Sequence, residues 1–302
     1  MAAGVLLGLA VPPLASLARP LLIPALLIPL TLALLRLDWG AIGAYRRRPG
    51  VAAALVAWIL VVSPLAVWLV VQPLLAAGFP VPLAQALVLM AAASPIVSSV
   101  AVALFVGLDA TLAVVAVLIT TALVPLTLPP LALALTGIEL QLSMPAFMLR
   151  LGLLVSSAFA AAWAIRRWVP PAALARRHQL IDGLAVATLV VFAVAIMDGV
   201  TAFALARPAY VALALIAAYA FNLLLQAAAY AAFRRLGRRA ALTAGLVSGN
   251  CNMGLVLVAL QERAGFEIVA FFALAQIPMY TLPALLAPVY RRILAGEPKE
   301  AR

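Results

Sequence analysis

The stretch Val247-Ser248-Gly249-Asn250-Cys251-Asn252-Met253-Gly254 interrupts an otherwise apolar segment that runs from Ala240 to Leu260. It places two asparagines, a serine and two glycines where a membrane helix would carry hydrocarbon side chains. Polar side chains and loosened backbone cost free energy at membrane depth unless they line a cavity. We therefore interpret this stretch as half of a membrane-embedded binding site. Ser94-Pro95-Ile96-Val97-Ser98-Ser99, at a corresponding place in the first half of the chain, is the predicted other half.

The composition indicates a polytopic membrane protein whose partner is the lipid bilayer. Hydrophobic residues make up 68% of the 302 residues and charged residues 10%, whereas soluble domains have about 45–50% and about 25%. The net charge of +11 is explained by cytoplasmic loops, so we do not expect a nucleic-acid partner. The chain has one cysteine, Cys251, and one histidine, His178. These two residues cannot form a disulfide framework or a Cys/His metal cluster, so we expect no metal and no cofactor.

The apolar runs predict ten membrane spans when they are cut at charge clusters and at Pro/Gly pairs, since each span needs about 20 apolar residues. The apolar opening from Met1 to Ser16 lacks a basic n-region and a cleavage site, so we expect it to be the first span and not a signal peptide. The predicted spans are 2–17, 20–36, 51–76, 82–106, 110–136, 145–165, 179–198, 208–232, 240–260 and 267–290.

The basic residues favour this count, because Lys and Arg collect in cytoplasmic loops. Sixteen of the 20 follow even-numbered spans, and the other four, Arg19, Arg150, Arg207 and Arg263, fall on the opposite side. We therefore expect both termini to be cytoplasmic. The sixteen are Arg36, Arg46, Arg47, Arg48, Arg166, Arg167, Arg176, Arg177, Arg234, Arg235, Arg238, Arg239, Arg291, Arg292, Lys299 and Arg302.

Ten spans divide into two five-helix repeats, residues 1–137 and 138–302, within one integral membrane unit and without a soluble domain. An odd number of spans in each repeat means that the second copy starts from the opposite face of the membrane. Spans four and nine then correspond, and both carry helix breakers: Pro95 in one, Gly249 and Gly254 in the other. The predicted fold is all-α, with discontinuous helices four and nine crossing near the midplane.

Three motifs resemble those of the bile acid:sodium symporter family, and the resemblance covers nearly the whole chain. Ser98-Ser99-Val100 lies where that family commonly has Ser-Asn-Val, and Thr120-Thr121-Ala122-Leu123-Val124-Pro125 looks like its Ser-Thr-Leu-Leu-x-Pro stretch. Gly249-x-Cys251-Asn252 followed by Leu255 is similar to its Glu-x-Gly-x-Gln-Asn-x-x-Leu signature. The resemblance implies two inverted five-helix repeats in which spans four and nine are unwound where they cross.

The positions that the resemblance assigns to sodium binding carry other residues in this chain. Val247 stands at the acidic position of span nine, Cys251 at the glutamine position, and Ser99 at the asparagine position of span four. A hard cation prefers oxygen ligands that include a carboxylate. Sodium coupling is therefore doubtful, and proton coupling, uncoupled facilitation and sodium held by backbone carbonyls remain open.

The candidate substrate- or ion-binding residues are the polar side chains of the two breaks and of the neighbouring spans. Each has an alternative role, since membrane Ser and Thr often bond to their own helix carbonyls, amides join helices, and buried cysteine packs as a small hydrophobe. Asp182 and Asp198 are candidate proton carriers or surface-paired carboxylates. The candidates are Ser98, Ser99, Thr120, Thr121, Ser248, Asn250, Cys251, Asn252 and Gln276.

The sequence favours a secondary transporter of a small organic anion or organic acid in the inner membrane of a prokaryotic cell. It offers no catalytic triad, no carboxylate pair in one predicted pocket and no phosphate-binding loop, so we do not expect an enzyme. Two alternatives stay open: a permease for metalloid oxyanions such as arsenite, suggested by Cys251, and a non-transporting sensor or assembly protein. The sequence does not name the substrate or the oligomeric state.

Overall fold

The computed structural model describes residues 2–36, 49–137, 143–260 and 264–295. Within these ranges the chain is helical and forms no β-strand. Seven of the described helices are long and apolar enough to cross a membrane, so the chain is an all-α multi-pass membrane protein. They are Pro12–Leu35, Pro49–Ala76, Ala110–Thr136, Met144–Trp168, His178–Ala206, Pro208–Leu236 and Phe266–Ala295, where adjoining helical segments are counted together.

The first half of the chain contains seven described α-helices. One of them, α4, contains a turn of π-helix over Trp58–Val62, and a short 3-10 turn over Arg19–Leu21 joins α2 to α3. The helices are α1 (Ala2–Ala10), α2 (Pro12–Ala18), α3 (Leu22–Arg36), α4 (Pro49–Ala76), α5 (Val81–Ala92), α6 (Ser98–Val106) and α7 (Ala110–Thr136).

The second half contains nine described α-helices and a 3-10 turn over Arg234–Leu236. The short helices α13 and α14 lie in sequence on either side of Asn250-Cys251-Asn252. The helices are α8 (Met144–Trp168), α9 (Pro171–Arg176), α10 (His178–Ala195), α11 (Val200–Ala206), α12 (Pro208–Phe233), α13 (Arg238–Gly249), α14 (Met253–Leu260), α15 (Phe266–Leu274) and α16 (Gln276–Ala295).

Local sequence signals explain where the central helix α7 begins and ends. The Asp109 carboxylate caps its first turn by accepting a 2.9 Å hydrogen bond from the backbone N–H of Leu112. Gly137 ends it with φ +56°, a left-handed conformation that glycine adopts without steric cost. Gly107, before the start of α7, ends α6 in the same way, with φ +83°.

Seven of the ten predicted spans correspond to the seven long helices. Each of the other three predicted spans is broken into two shorter helices. The predicted span 82–106 is divided between α5 and α6, and the span 240–260 between α13 and α14. The span 2–17 is divided at Val11, which lies between the end of α1 at Ala10 and the start of α2 at Pro12. Proline lacks the backbone N–H that would continue a helix, which explains the ends at Val11 and near Pro95.

Contacts between the ends of neighbouring helices define two opposite ends of the helix bundle. At one, which we call the basic end, the Arg166 guanidinium donates to the carbonyl of Leu35 (2.9 Å) and that of Arg238 to the carbonyl of Ile293 (3.3 Å). At the other, which we call the Asp198 end, Arg19 pairs with Asp198, and the ring of Phe203 packs against Phe266.

The predicted halves 1–137 and 138–302 are interleaved in space. Helices α1 to α3 pack on α10, and α3 also packs on α8, so the beginning of the chain lies against its second half. Helix α5 packs against α15, and α7 against α8 and α13. The junction after Gly137 falls at 138–142, outside the described residues, as do the predicted loop residues Arg46, Arg47, Arg48, Arg263, Lys299 and Arg302.

Candidate functional site

The two interrupted helices meet at their gaps and pair through their backbones. The N–H of Ile96 donates to the carbonyl oxygen of Asn250 (2.8 Å), and the N–H of Asn252 donates to the carbonyl oxygen of Ser94 (2.7 Å). These two bonds form an antiparallel bridge between Pro95 and Cys251. Each gap thereby satisfies backbone groups that a continuous helix would have satisfied internally. We call this pairing of 94–96 with 250–252 the crossing.

Proline explains the first gap. Pro95 has no N–H to donate, and it disfavours the helical conformation in the residue before it. The helix α5 accordingly ends at Ala92, and Ala93 is extended at φ −74°, ψ 149°. The second gap follows Gly249, and Asn250 is non-helical at φ −91°, ψ 72°.

Two helices begin at the crossing with their N-termini toward it: α6 at Ser98 and α14 at Met253. The first N–H groups of a helix lack intrahelical acceptors and carry partial positive charge. Asn252 caps α14, since its side-chain oxygen accepts a 3.2 Å hydrogen bond from the N–H of Leu255. The crossing therefore brings the partial positive N-terminal ends of α6 and α14 next to the partial negative C-terminal ends of α5 and α13.

Glycines allow α13 to approach α12 closely beside the crossing. A Cβ atom at Gly249 would lie 2.5 Å from Cγ of Gln226 and 2.8 Å from Oδ1 of Asn222. A Cβ atom at Gly245, one turn earlier, would lie 2.8 Å from the carbonyl oxygen of Gln226. All three distances are shorter than van der Waals contact, so these positions require glycine for packing.

A buried hydrogen-bond chain reaches the crossing from the end of α16. The hydroxyl of Tyr290 donates to Oε1 of Gln226, whose Nε2 donates to Oδ1 of Asn222 (2.7 Å). Nδ2 of Asn222 then donates to the carbonyl oxygen of Gly249 (2.7 Å). This carbonyl is at the end of α13, so the chain of side chains holds the C-terminus of that half-helix in place.

Four buried side chains at or near the crossing carry an atom that finds no hydrogen-bond partner among the described residues. The atoms are the hydroxyl oxygens of Ser94, Ser99 and Thr121 and Oδ1 of Asn250. All four residues are at most 2% exposed. Buried polar atoms are normally satisfied, so each such atom is a position for a ligand or a water molecule. Val97, next to the first gap, packs in one cluster with Val117 and Leu118 of α7. These two residues are one turn before Thr121, so α7 lies close to the first gap.

The other predicted site residues bond within their own helices or lie elsewhere. The hydroxyls of Thr120 and Ser248 donate to the carbonyls of Ala116 (2.6 Å) and Ala244 (2.7 Å). Nε2 of Gln276 donates to the carbonyl of Phe272 (3.3 Å) at the junction of α15 and α16. Sγ of buried Cys251 contacts the carbonyl of Ser248 (3.3 Å), and Ser98 is exposed.

Gly254 lies inside α14 and not in a gap, which corrects its predicted role as a helix breaker. A Cβ atom there would lie 2.8 Å from Cζ of Phe192 and 3.3 Å from Cδ1 of Leu26. The glycine thus permits close contact of α14 with α10 and α3. Pro95 lies in the first gap and Gly249 is the last residue of α13, next to the second gap.

Sequence reasoning missed Ser63 and Tyr290. Ser63 is 2% exposed, follows the π-helical turn of α4, and its hydroxyl has no partner among the described residues. A serine directly before Pro64 in an apolar run was the available signal, because proline frees a backbone carbonyl nearby. Nothing in the sequence connects Tyr290 with Gln226, since they are 64 residues apart.

No protein-family model matches this chain, and no curated protein matches it.

Proposed function

We propose that this chain is a secondary transporter or facilitator that moves a small organic anion by alternating access, with the crossing as its substrate site. The observation that carries the proposal is the backbone pairing of two interrupted helices inside an apolar multi-pass protein. Irregular backbone at membrane depth is tolerated where it is buried in protein or lines a cavity, and broken helices that face each other are typical of transporters.

The groups at the crossing favour an anion. The N-termini of α6 and α14 attract negative charge, and the hydroxyls of Ser94 and Ser99 are donors without a partner among the described residues. Oδ1 of Asn250 is an acceptor that likewise has no partner among the described residues. The best ligand is therefore a carboxylate that also carries a hydrogen-bond donor, or that binds together with a water molecule.

Two inverted repeats of five spans are part of this proposal. The interrupted helix α5–α6 ends near the basic end, where the Arg291 guanidinium lies 5.3 Å from the ring centroid of Phe105. The interrupted helix α13–α14 begins at the same end, where Arg238 contacts Ile293. The two run in opposite directions, which supports an inverted relation between the halves. We also propose a relation to the bile acid:sodium symporter family, on the three sequence motifs that resemble it, and the opposite directions of the two interrupted helices support that proposal.

The basic end faces the cytoplasm in this proposal. The guanidinium groups of Arg166, Arg238 and Arg291 contact the helix ends there, and Lys and Arg collect on the cytoplasmic side of membrane proteins. The Asp198 end, where Arg19 and Arg207 are each paired with a carboxylate, then faces outward.

The proposal includes no sodium site of the kind that is built from side-chain oxygens. Val247 is fully buried in α13 and supplies no oxygen, and Sγ of Cys251 is directed to the carbonyl of Ser248. A hard cation binds through oxygen ligands. The coupling ion, if there is one, is a proton or a cation held by the backbone.

The test is thermal stabilisation of the purified chain across a panel of hydroxy- and amino-substituted carboxylates, in sodium and in choline buffers. A ligand of the folded state raises its melting temperature according to occupancy. We expect one anion to raise it equally in both series and to be taken up by liposomes that contain the protein. Ser94→Ala and Ser99→Ala should reduce the shift, while Ser157→Ala, whose hydroxyl bonds within α8, should not.

The outcomes separate the competing functions. Stabilisation that appears only with sodium would show that the sodium-independent reading is wrong. A response to arsenite or antimonite in place of carboxylates would favour the metalloid permease. Binding without any flux across liposomes would favour a non-transporting protein.

A further inference from the structure

The end of α6, the start of α13 and the end of α16 pack together at the basic end. Val106, Ala241 and Tyr290, one from each helix, belong to one buried apolar cluster. The Arg238 guanidinium donates to the carbonyl of Ile293 (3.3 Å) and so joins α13 to α16. Both interrupted helices therefore contact α16 at this end, and we call the place where the three helix ends meet the arginine corner.

The arginine corner takes its name from exposed arginines on two of these helix ends. Arg238 and Arg239 begin α13, and Arg291 and Arg292 precede the end of α16. A helix C-terminus carries partial negative charge, so the macrodipole favours the arginines of α16. It disfavours those of α13, because a helix N-terminus carries partial positive charge and the first turn of α13 contains no acidic residue. A bound anion would remove this repulsion.

An exposed apolar surface borders the arginines. Leu104 and Phe105, in the last turn of α6, are 73% and 76% exposed. The Arg291 guanidinium lies 5.3 Å from the ring centroid of Phe105, a favourable distance for a cation and an aromatic ring. Arginine at a membrane surface extends its stem along apolar groups and keeps its charge at the level of the head groups. The arginine corner thus combines a surface for acyl chains with cations for a head group.

We propose that the arginine corner binds an anionic phospholipid. Its phosphate contacts the guanidinium groups of Arg239, Arg291 and Arg292, and one acyl chain lies along Leu104 and Phe105. Guanidinium matches the oxygens of a phosphate in a two-point geometry, and each basic side chain near a membrane surface adds to the attraction of anionic lipid. The bound lipid holds the ends of α6, α13 and α16 together. Its binding goes beyond the proposed function, because it requires neither a transported substrate nor flux.

Acidic groups of this chain are the competing occupants of the arginine corner. Asp109 lies beside α13, since its backbone N–H donates to Oγ1 of Thr243 (2.9 Å), and its carboxylate caps α7. The tail 296–302 is outside the described residues and contains two acidic and two basic side chains, namely Glu297, Glu300, Lys299 and Arg302. The test therefore includes a variant in which both tail glutamates are changed to glutamine.

Native mass spectrometry of the full chain in a neutral detergent measures the binding directly. The probes are dioleoyl phosphatidylglycerol and dioleoyl phosphatidylcholine, which share the phosphate and the acyl chains and differ in net charge. We expect the first phosphatidylglycerol to bind with a dissociation constant about tenfold lower than that of phosphatidylcholine. Glu297→Gln combined with Glu300→Gln should leave both constants unchanged. A melting curve in the same detergent confirms that each variant is folded.

Two pairs of substitutions test whether the arginines of α16 form the site. Arg291→Gln combined with Arg292→Gln should raise the dissociation constant of phosphatidylglycerol by about 25-fold, or about fivefold for each arginine. Arg291→Lys combined with Arg292→Lys retains both charges and should retain most of the affinity. Arg167→Gln combined with Arg176→Gln is the matched control, because it removes two exposed charges near the ends of α8 and α9, and α8 packs on α3 and α7. It should leave the affinity unchanged.

Four results would overturn the inference. An equal loss in the matched control would show diffuse attraction to the whole basic end. Equal affinity for phosphatidylcholine would show an apolar surface without selection for charge. Displacement of the lipid by inorganic phosphate at equal concentration would identify a soluble anion as the occupant. Much tighter lipid binding by the tail variant would show that the tail occupies the arginines. Each result is independent of flux, so the proposed function stands or fails separately.

Discussion

The backbone N–H of Ile96 donates a 2.8 Å hydrogen bond to the carbonyl oxygen of Asn250, across two helices that are both interrupted at that point. The two residues are 154 positions apart in sequence, and neither side chain takes part in the bond. The gaps are therefore held together mainly by backbone, and side chains nearby are available for capping, packing or ligand binding.

Substituting Asn252 should destabilise the protein through the cap of α14. Asn252→Ala removes the acceptor for the N–H of Leu255 and should cost about 1 kcal/mol of unfolding free energy. Asn252→Ser retains a capping oxygen and should recover most of that loss. Unfolding of the purified chain in a neutral detergent measures both, and equal stability of the two variants would contradict the capping role.

An added methyl group at Gly249 should also destabilise the fold. The new Cβ would lie 2.5 Å from Gln226 and 2.9 Å from the backbone oxygen of Asn222, so α12 and α13 must separate, at a cost of about 1–3 kcal/mol. Gly183→Ala in α10 is the control, because no atom lies within 4 Å of its added Cβ. It should stabilise the helix by about 0.5–1 kcal/mol. A tolerated Gly249→Ala would mean that the two helices are packed less closely.

Tyr290→Phe should weaken the buried hydrogen-bond chain. The change leaves Oε1 of buried Gln226 without its donor, which should cost about 1–3 kcal/mol. Tyr219→Phe is the control. Its partner Thr281 also bonds to the carbonyl of Ile277 (2.9 Å), so the loss of the Tyr219 hydroxyl leaves Thr281 with a partner and should cost less stability. The double variant Gln226→Leu, Tyr290→Phe should lose less unfolding free energy than the sum of the two single variants, because each change removes the same Tyr290–Gln226 hydrogen bond. Additive losses would show that the two residues act independently.

Replacing the adjacent threonines of α7 by valine should lower stability at Thr120 and not at Thr121. Thr121→Val removes a buried hydroxyl that has no partner among the described residues, so stability should be unchanged or rise by about 1 kcal/mol. Thr120→Val removes a 2.6 Å bond to Ala116 and should lower stability by about 0.5–1 kcal/mol. The two variants are isosteric and neighbouring, so one set of melting curves compares them. A loss at Thr121 as large as that at Thr120 would show that the Thr121 hydroxyl is satisfied by a bound molecule.

Most of the helical spans could be predicted because their signal is local. Long apolar runs such as 110–136 and 208–232 end at charge or glycine, and the corresponding helices α7 and α12 begin and end within two residues of those limits. The span 2–17 was harder, since Pro12 and Pro13 divide an apolar run that composition alone treats as continuous. The count of ten spans and the inverted repeats stay predictions.

The candidate site was only partly accessible to sequence reasoning. Polar residues in an apolar run identify Ser99, Thr121 and Asn250 as unusual, and each has a buried atom without a partner among the described residues. The same rule selected Thr120 and Ser248, whose hydroxyls bond to the preceding turn of their own helices. Residue type does not distinguish these cases, because the rotamer and the neighbouring helices determine whether a hydroxyl is satisfied.

The sequence by itself determined the membrane environment, the helical class and the helix breaks at Pro95 and after Gly249. These properties depend on composition and on the local effects of proline, glycine and the apolar period, which act within a few residues. The tertiary structure alone decided that the break at Pro95 pairs with the break at Cys251, that Tyr290 reaches Gln226, and that Arg19 pairs with Asp198. Such contacts join residues 64 to 179 positions apart. Their energies depend on how whole helices pack, which no local pattern encodes.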